Sequence, residues 1–313
     1  ASTNGSLKTA QNLFGGNKKL QIIKNNQNRG FSGGNNTGFE HSKGKYIVFL
    51  NNDTTVAPDW LIYLVEAMEN DPTIGVAQSL IHTIDGKKIQ TAGWLYGNYL
   101  IKKHQLFQDT PSNVEFEPIF EVSFVCGASM IIRRDILKAM GAFEPKIPFF
   151  YDDTLLSLKT LLSGKKVVTI SASKIFHIGS ATNVWKTRFT TYSLLRANML
   201  LLFDVYYKKT DLAKALLSNL FYLGISSVFN LQKRNSAAVL GNLEALAWSL
   251  RNLRFLWQNR LIHWSKTKIT PEELKEKFVR VNIPVAFYLF PTKLSHDHFT
   301  YVIRGHEKAM IKR

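Results

Sequence analysis

The sequence predicts an α/β fold built on a mostly parallel sheet, with a C-terminal helical region. Three observations predict it. Short apolar runs bounded by polar or glycine-rich turns, such as YIVFL at 46–50, read as buried strands. These runs alternate with amphipathic segments as far as about residue 188, the rhythm of strands joined by crossover helices. Beyond 188 the pattern is helical.

Taken in order, KKLQIIKN (18–25) reads as a short strand. The stretch 26–44 is dense in Asn and Gly, with glycines at 30, 33, 34 and 38, and predicts turns or a tightly wound start to a helix. KYIVFLN (45–51) reads as a buried parallel strand. PDWLIYLVEAMEND (58–71) puts Trp60, Leu61, Leu64, Val65 and Met68 on one helical face, with Pro58 or Asp59 near its start. GVAQSLI (75–81) is another strand. Residues 82–118 are weakly patterned, the kind of long insert that often carries substrate in an α/β domain. FEVSFVCGASMIIRR (120–134) resumes a strand pattern, and DILKAMG is a short helix ended by Gly141. YDDTLLSLKTLLSGKKV (151–167) is a helix with an acidic start, and residues 167–179 form one or two strands.

Three helices are expected after 188. The third, SAAVLGNLEALAWSLRNLRFLWQNRLIHW, places apolar residues at 240, 243, 246, 250, 253, 257, 261 and 264, one continuous stripe. Between 233 and 268 there are seven Lys/Arg and one acid, Glu244. Such a helix can pack its stripe on a neighbour or lie on an anionic membrane surface. The run 212–231 nearly reaches bilayer-spanning length, but Asn219, Asn230 and its serines weaken that reading.

With 313 residues the chain suits one large domain, or a domain plus an appendage. The single cysteine, Cys126, excludes an internal disulfide framework. A net charge of +17 fits nucleic acid, anionic lipid or a diphosphate-bearing substrate. There is no zinc-finger spacing and no basic-aromatic stripe on a strand pair, so specific nucleic-acid binding is not expected. Neither GxGxxG nor a Walker lysine motif is present, which argues against a dehydrogenase or P-loop ATPase.

Candidate chemistry gathers at strand and helix ends. NND (51–53) follows an apolar strand, where open α/β sheets bind ligands. Asp53 offers a hard oxygen to Mg²⁺ or Mn²⁺ and Asn51 a second ligand, although an Asx turn explains the same residues. Asp152 and Asp153 open a helix, where they can cap it or supply a general base. His177, at a strand end, suits a metal ligand, a phosphate donor or a core histidine. Backbone N–H groups in 28–38 could wrap a phosphate or a base.

Together these stretches resemble the family-2 inverting nucleotide-sugar glycosyltransferases, and most of all their rhamnosyltransferase-like and cell-surface polysaccharide members. The matching pieces are ASTNGS (1–6), 26–61, VCGASMIIRRDILKAMGAFEP (125–145), FFYDDTLLSLKTLLSGKKV (149–167) and FHIGS (176–180), in family order over roughly residues 1–200. The resemblance implies a Rossmann-like catalytic domain of GT-A type at 1–188 and a helical extension at 189–313. It implies a metal site at Asn51, Asp53 and His177, and a general base at Asp153 beside Asp152. Nucleotide contacts would come from Asn28, Gly30, Gly33, Asn35, Asn36 and Asn52. The implied partners are a nucleotide-sugar donor and a glycan or lipid-linked acceptor. The implied location is cytoplasmic, with the helical tail peripheral at the membrane face. Two departures stand out. The family's E-D-x-D-L pattern followed by arginine reads DDTLLSLK here, with Leu155 and Lys159 in place of the second acid and the arginine. The chain also opens at AST, without the strand, loop and helix that precede that stretch in the family, so the expected catalytic domain is N-terminally incomplete. The other reading is a truncated or inactive relative serving as a binding or scaffold module.

Overall fold

The computed structural model describes residues 5–101, 103–147, 149–179, 187–281 and 293–312. Its N-terminal part runs α1 (Ser6–Phe14), α2 (Gly30–His41), β1 (Tyr46–Leu50), β2 (Thr54–Val56), α3 (Trp60–Asn70) and β3 (Ile74–Thr83). Three short strands follow, β4 (Ile89–Thr91), β5 (Trp94–Tyr96) and β6 (Lys103–Gln105). Then come β7 (Ile119–Glu121), β8 (Ser129–Arg133), α4 (Arg134–Met140), α5 (Asp152–Leu162) and β9 (Lys166–His177).

The main sheet has the order β1-β8-β3-β9-β2, with β4 added to β3 and β7 to β9. Here the structure corrects the expectation of a mostly parallel sheet: β3 and β9 are the parallel pair, and the other pairings are antiparallel. A parallel neighbour needs a crossover, usually a helix. No α-helix is described between β3 and β8, so the chain turns back and β8 enters antiparallel to both β1 and β3.

Residues 18–25, expected as a strand, form none. A strand needs neighbours for its N–H and C=O groups, and this segment pairs with nothing in the sheet; Leu20 is exposed.

β3 is buried from Ile74 to His82, so its sequence does not alternate with exposed polar residues, and its polar Gln78, Ser79 and His82 are buried too. Side chains alternate between two cores. Ile74, Ala77, Ile131, Val168 and Ile170 meet Leu64, Ala67 and Met68 of α3. Val76, Leu80, Met130, Ile132 and Val167 face the larger core with α4 and α5. The β3–β9 register jumps from Ser79↔Ile170 to Leu80↔Lys174, leaving Ser171, Ala172 and Ser173 as a bulge. The Ser79 hydroxyl lies 2.9 Å from that of Ser129 and 2.8 Å from that of Ser173, and Ser173 donates to the Trp60 carbonyl at 2.7 Å.

The C-terminal part contains α6 (Thr187–Val205), α7 (Lys209–Gln232), α8 (Ser236–Arg251), α9 (Leu253–Ser265), α10 (Pro271–Phe278) and α11 (Lys293–Lys308). Leu200, Leu201 and Leu202 of α6 continue the larger core. The α6 C-terminus is tied down by Arg260, which donates to the carbonyls of Phe203, Tyr206 and Tyr207, and by His263, 2.9 Å from the Asp204 carboxylate. The third expected helix is two helices. Asn252 leaves helical geometry and donates from its amide to the Trp248 carbonyl at 2.8 Å, breaking the run between α8 and α9. The predicted stripe packs inward only in part: Leu246 and Trp264 lie against the core, while Leu240, Leu243, Leu250, Leu253, Trp257 and Leu261 are exposed. α7 is the described helix long and apolar enough to cross a membrane by length and composition, with 17% of its apolar window buried.

Candidate active site

A cavity of about 780 Å³ opens beyond β1 and the end of β9 and reaches the start of α5. Asn51, Asn52, Asp53 and His177 line one part of it, and Tyr151, Asp152 and Asp153 another. The sequence separates these groups by about a hundred residues; the sheet brings them together.

Asn51 leaves β1 with its N–H bonded to the Ala128 carbonyl at 3.0 Å, and Thr54 closes the turn by donating its hydroxyl to the Asn51 carbonyl at 2.7 Å. The turn reading and the site reading of NND therefore describe one object, because the turn aims its side chains into the cavity. β2 pairs antiparallel with β9 at Thr54↔His177, which carries the imidazole to the turn. His177 Nε2 lies 3.1 Å from Asp53 Oδ1 and 3.5 Å from the Asn51 amide nitrogen. Gln90 holds the other side of the ring, its Oε1 2.8 Å from His177 Nδ1.

This donor set fits a divalent ion. In its Nδ1–H tautomer, with Gln90 Oε1 accepting from Nδ1, the ring offers the Nε2 lone pair beside the Asp53 carboxylate, a nitrogen and an oxygen that can both ligate a divalent ion. A flip of the Asn51 amide turns its oxygen to the same point. Among the described residues no cluster of three or more His, Cys, Asp and Glu could hold a metal, so the set is one carboxylate, one imidazole and one amide. Positions beyond those three are left for ligand oxygens.

The acidic end is shaped by local backbone geometry. Phe150 and Tyr151 both adopt left-handed φ values, 65° and 61°. That conformation is unusual for aromatic residues and costs about 1 kcal/mol or more each; here it turns the chain so that α5 begins at the cavity wall. Asp152 is buried, and Asp153 beside it is half-buried. Burial first, and then the neighbouring Asp153, push the Asp152 carboxyl well above the usual carboxylate range. Asp153 Oδ2 accepts from the Gly127 N–H at 2.9 Å and Oδ1 from the Thr154 N–H at 2.7 Å. Asp153 is thus the oriented and accessible acid of the pair.

Two residues of the 82–118 insert support the site without any signal in the sequence, one behind the His177 ring and one in the cavity wall. One is Gln90. The other is Lys103, whose ammonium sits 4.5 Å from the ring centres of both Trp94 and Tyr151. It makes no ion pair within 4.0 Å among the described residues; aromatic faces hold the cation at the cavity wall, within the electrostatic reach of Asp152.

The 28–38 stretch divides. Phe31 and Asn35 line the cavity, as does Asn52. Asn28 and Gly30 line a separate hollow of about 230 Å³ with Lys24 and Arg29. Asn36 is a brace, exchanging two hydrogen bonds with the Phe143 backbone at 2.9 and 3.0 Å. Gly33 packs on Arg29, whose Cβ would lie 2.6 Å from any Cβ placed there. Lys159, in the position of the family's arginine, is buried in α5 and donates to the Ala142 carbonyl at 2.7 Å; burial lowers its amine to about 8.

Residues 1–141 match Glycosyl transferase family 2. That match spans less than half of the chain's 313 residues. The chain is 23% identical over 177 residues to "Putative polypeptide N-acetylgalactosaminyltransferase 13" of Drosophila melanogaster, covering 53% of this chain and 31% of that protein. It is 26% identical over 155 residues to "O-antigen biosynthesis protein RfbC" of Myxococcus xanthus, covering 47% of this chain and 12% of that protein. It therefore spans less than a third of the length of these curated relatives. Among solved structures, GalNAc-T7 with UDP, GalNAc and Mn²⁺ superimposes with a TM-score of 0.53 at 15% identity, over 80% of this chain and 48% of the other. That likeness is one of fold.

Proposed function

We propose that this family-2 fold transfers a sugar, with inversion, from a nucleotide-diphosphate donor to a hydroxyl of a glycan or lipid-linked acceptor in cell-surface polysaccharide assembly of the rhamnosyltransferase-like kind. The observation that carries this reading is one cavity lined by both the Asn51/Asp53/His177 cluster and the Asp152/Asp153 pair. Asp153 takes the proton of the acceptor hydroxyl, whose oxygen attacks the anomeric carbon. The bond from that carbon to the diphosphate oxygen breaks, and its electron pair leaves with the diphosphate. Asp53 and His177, with Asn51 through its amide oxygen, would hold Mg²⁺ or Mn²⁺. Such an ion, when bound, offsets the charge that builds on the departing diphosphate. Phe31, Asn35 and Asn52 face the donor, and the 82–118 insert faces the acceptor. The protein works in the cytoplasm, at the cytoplasmic face of the membrane.

The test is release of nucleoside diphosphate from a panel of nucleotide-sugars with Mn²⁺ and an acceptor extract. Release from at least one donor, lost in Asp53→Asn, is expected. If no donor binds or turns over, the chain is a binding or scaffold module instead.

A further inference from the structure

α6 buries Leu200, Leu201 and Leu202 in the core, but α7 and α8 put most of their leucines outside. On α8 the inward positions are Ala238, Gly241, Asn242, Ala245 and Ser249, all small or polar. Gly241 lets the helix approach so closely that a Cβ there would sit 2.4 Å from the Arg188 carbonyl oxygen. The leucines face out: Leu240, Leu243 and Leu250 are exposed at 45%, 56% and 69%. α7 follows the same pattern after its first turn: Leu212 is buried with Ala215 and Asn219, while Leu217, Phe221, Val228 and Leu231 are exposed at helical spacing. α9 extends it through Leu253, Trp257 and Leu261.

The helices are joined by polar contacts. Asn198 donates to Asn219 at 3.1 Å, Asn219 to the Tyr99 carbonyl at 2.7 Å, and Asn242 to Ser227 at 3.3 Å. Helices in water bury leucine and expose amides. Small residues and amides between helices with leucine outside are how helices pack in lipid.

Charge identifies the occupant of this face. Residues 209–268 carry nine Lys/Arg against Asp211 and Glu244. Glu244 is paired with Arg188, and Asp211 lies 4.0 Å from Lys275. Lys233 and Arg234 sit exposed at the α7–α8 turn, and Arg251 and Arg254 at the α8–α9 turn, so cations rim the apolar stripes. A second copy of the chain would bring the same positive rim against this one; an anionic leaflet complements it. With 16 residues, α8 is about 24 Å long, shorter than the hydrocarbon core, and it has basic residues near both ends. That geometry suits a helix lying along the surface rather than across it.

We propose that α7, α8 and α9 form a docking face that lies in one leaflet of an anionic bilayer, with their leucines and Trp257 in the acyl region and their cations among the headgroups. This deepens the peripheral location given above and requires neither donor nor metal. The test is co-sedimentation of the full chain, without nucleotide-sugar or Mn²⁺, with vesicles of phosphatidylcholine alone or with added phosphatidylglycerol. Binding to the anionic vesicles and not the neutral ones is expected. The triple variant Leu243→Ser, Leu250→Ser, Leu261→Ser should bind roughly tenfold more weakly with an unchanged thermal midpoint, since all three side chains are exposed. Lys233→Glu with Arg234→Glu should weaken binding on anionic vesicles. Absence of vesicle binding, equal binding to both compositions, or wild-type binding by the triple variant would overturn the proposal. So would a wild-type dimer in solution that the triple variant converts to monomer. Because no turnover is read, failure of sugar transfer would leave a positive vesicle result standing.

Discussion

Asp53 and His177 are 124 residues apart in sequence, yet Oδ1 and Nε2 stand 3.1 Å apart at the mouth of the β2–β9 pair. Both side chains remain partly accessible, 28% for Asp53 and 13% for His177. Mn²⁺ should therefore raise the thermal midpoint of the wild type. Asp53→Ala and His177→Ala should each abolish that rise. Differential scanning fluorimetry with and without Mn²⁺ checks this, and an undiminished rise in either variant would remove that residue from the ion site.

Gln90 touches the ring, not the cavity's ion position. Gln90→Leu frees the imidazole to rotate and change tautomer, so Mn²⁺ affinity should fall about 10–100-fold while folding stability changes little. Gly179→Ala should act in the same direction, because its methyl would displace the Gln90 amide. Isothermal titration with Mn²⁺ measures both effects.

The two acids should separate by function. Asp153→Asn removes the proposed base and should lower transfer about 10³-fold with donor affinity retained. Asp152 is held toward its protonated form by burial, and an asparagine mimics a neutral carboxyl, so Asp152→Asn should cost far less. Equal losses in the two variants would argue that the pair works as one unit.

In the proposed reaction Lys103 would face the acceptor. Lys103→Met keeps the hydrophobic stem between Trp94 and Tyr151 and removes the cation. Acceptor KM should rise several-fold, with donor KM unchanged, in steady-state assays varying each substrate.

Lys159 gives a pH dependence with a definite sign. Its amine is lowered to about 8 by burial, against 10.5 for the ordinary group. Between those values the unfolded chain binds the proton more tightly, so stability rises as pH rises through the window and is lost as pH falls through about 8. Relative to Lys159→Met, the wild type should gain about 2 kcal/mol between pH ~7.5 and ~9.5. Urea denaturation of both proteins at the two pH values tests this; parallel pH profiles would contradict it.

The sequence made the chemistry more legible than the topology. NND, the acidic pair and His177 could be picked out because each sits where a regular element stops, and the structure brings all of them to one cavity. Strand direction was less readable. An apolar run such as YIVFL looks alike in a parallel and an antiparallel ladder, and only the helix-free return before β8 decides between them. The strand expected at 18–25 failed because propensity does not supply a partner. The long third helix failed at one residue, Asn252, whose side chain competes for the backbone of the preceding turn. Gln90, Lys103 and the left-handed turn at Phe150 and Tyr151 carry no local signature at all. Their importance comes only from what the fold sets beside them.

The β9 bulge determines which residue reaches the ion site. Three residues, Ser171 to Ser173, separate the two registers of β9 on β3, and side chains alternate with a period of two. Removing one of the three would turn the strand's last residues over, present Ile178 where His177 now stands, and swing the imidazole to the opposite face. Changes in the chemistry of Ser171 or Ala172 are far milder, since neither hydroxyl nor methyl there faces the cavity. The site is thus encoded partly as a count. Anyone grafting, shortening or recombining this strand has to preserve its length before its composition.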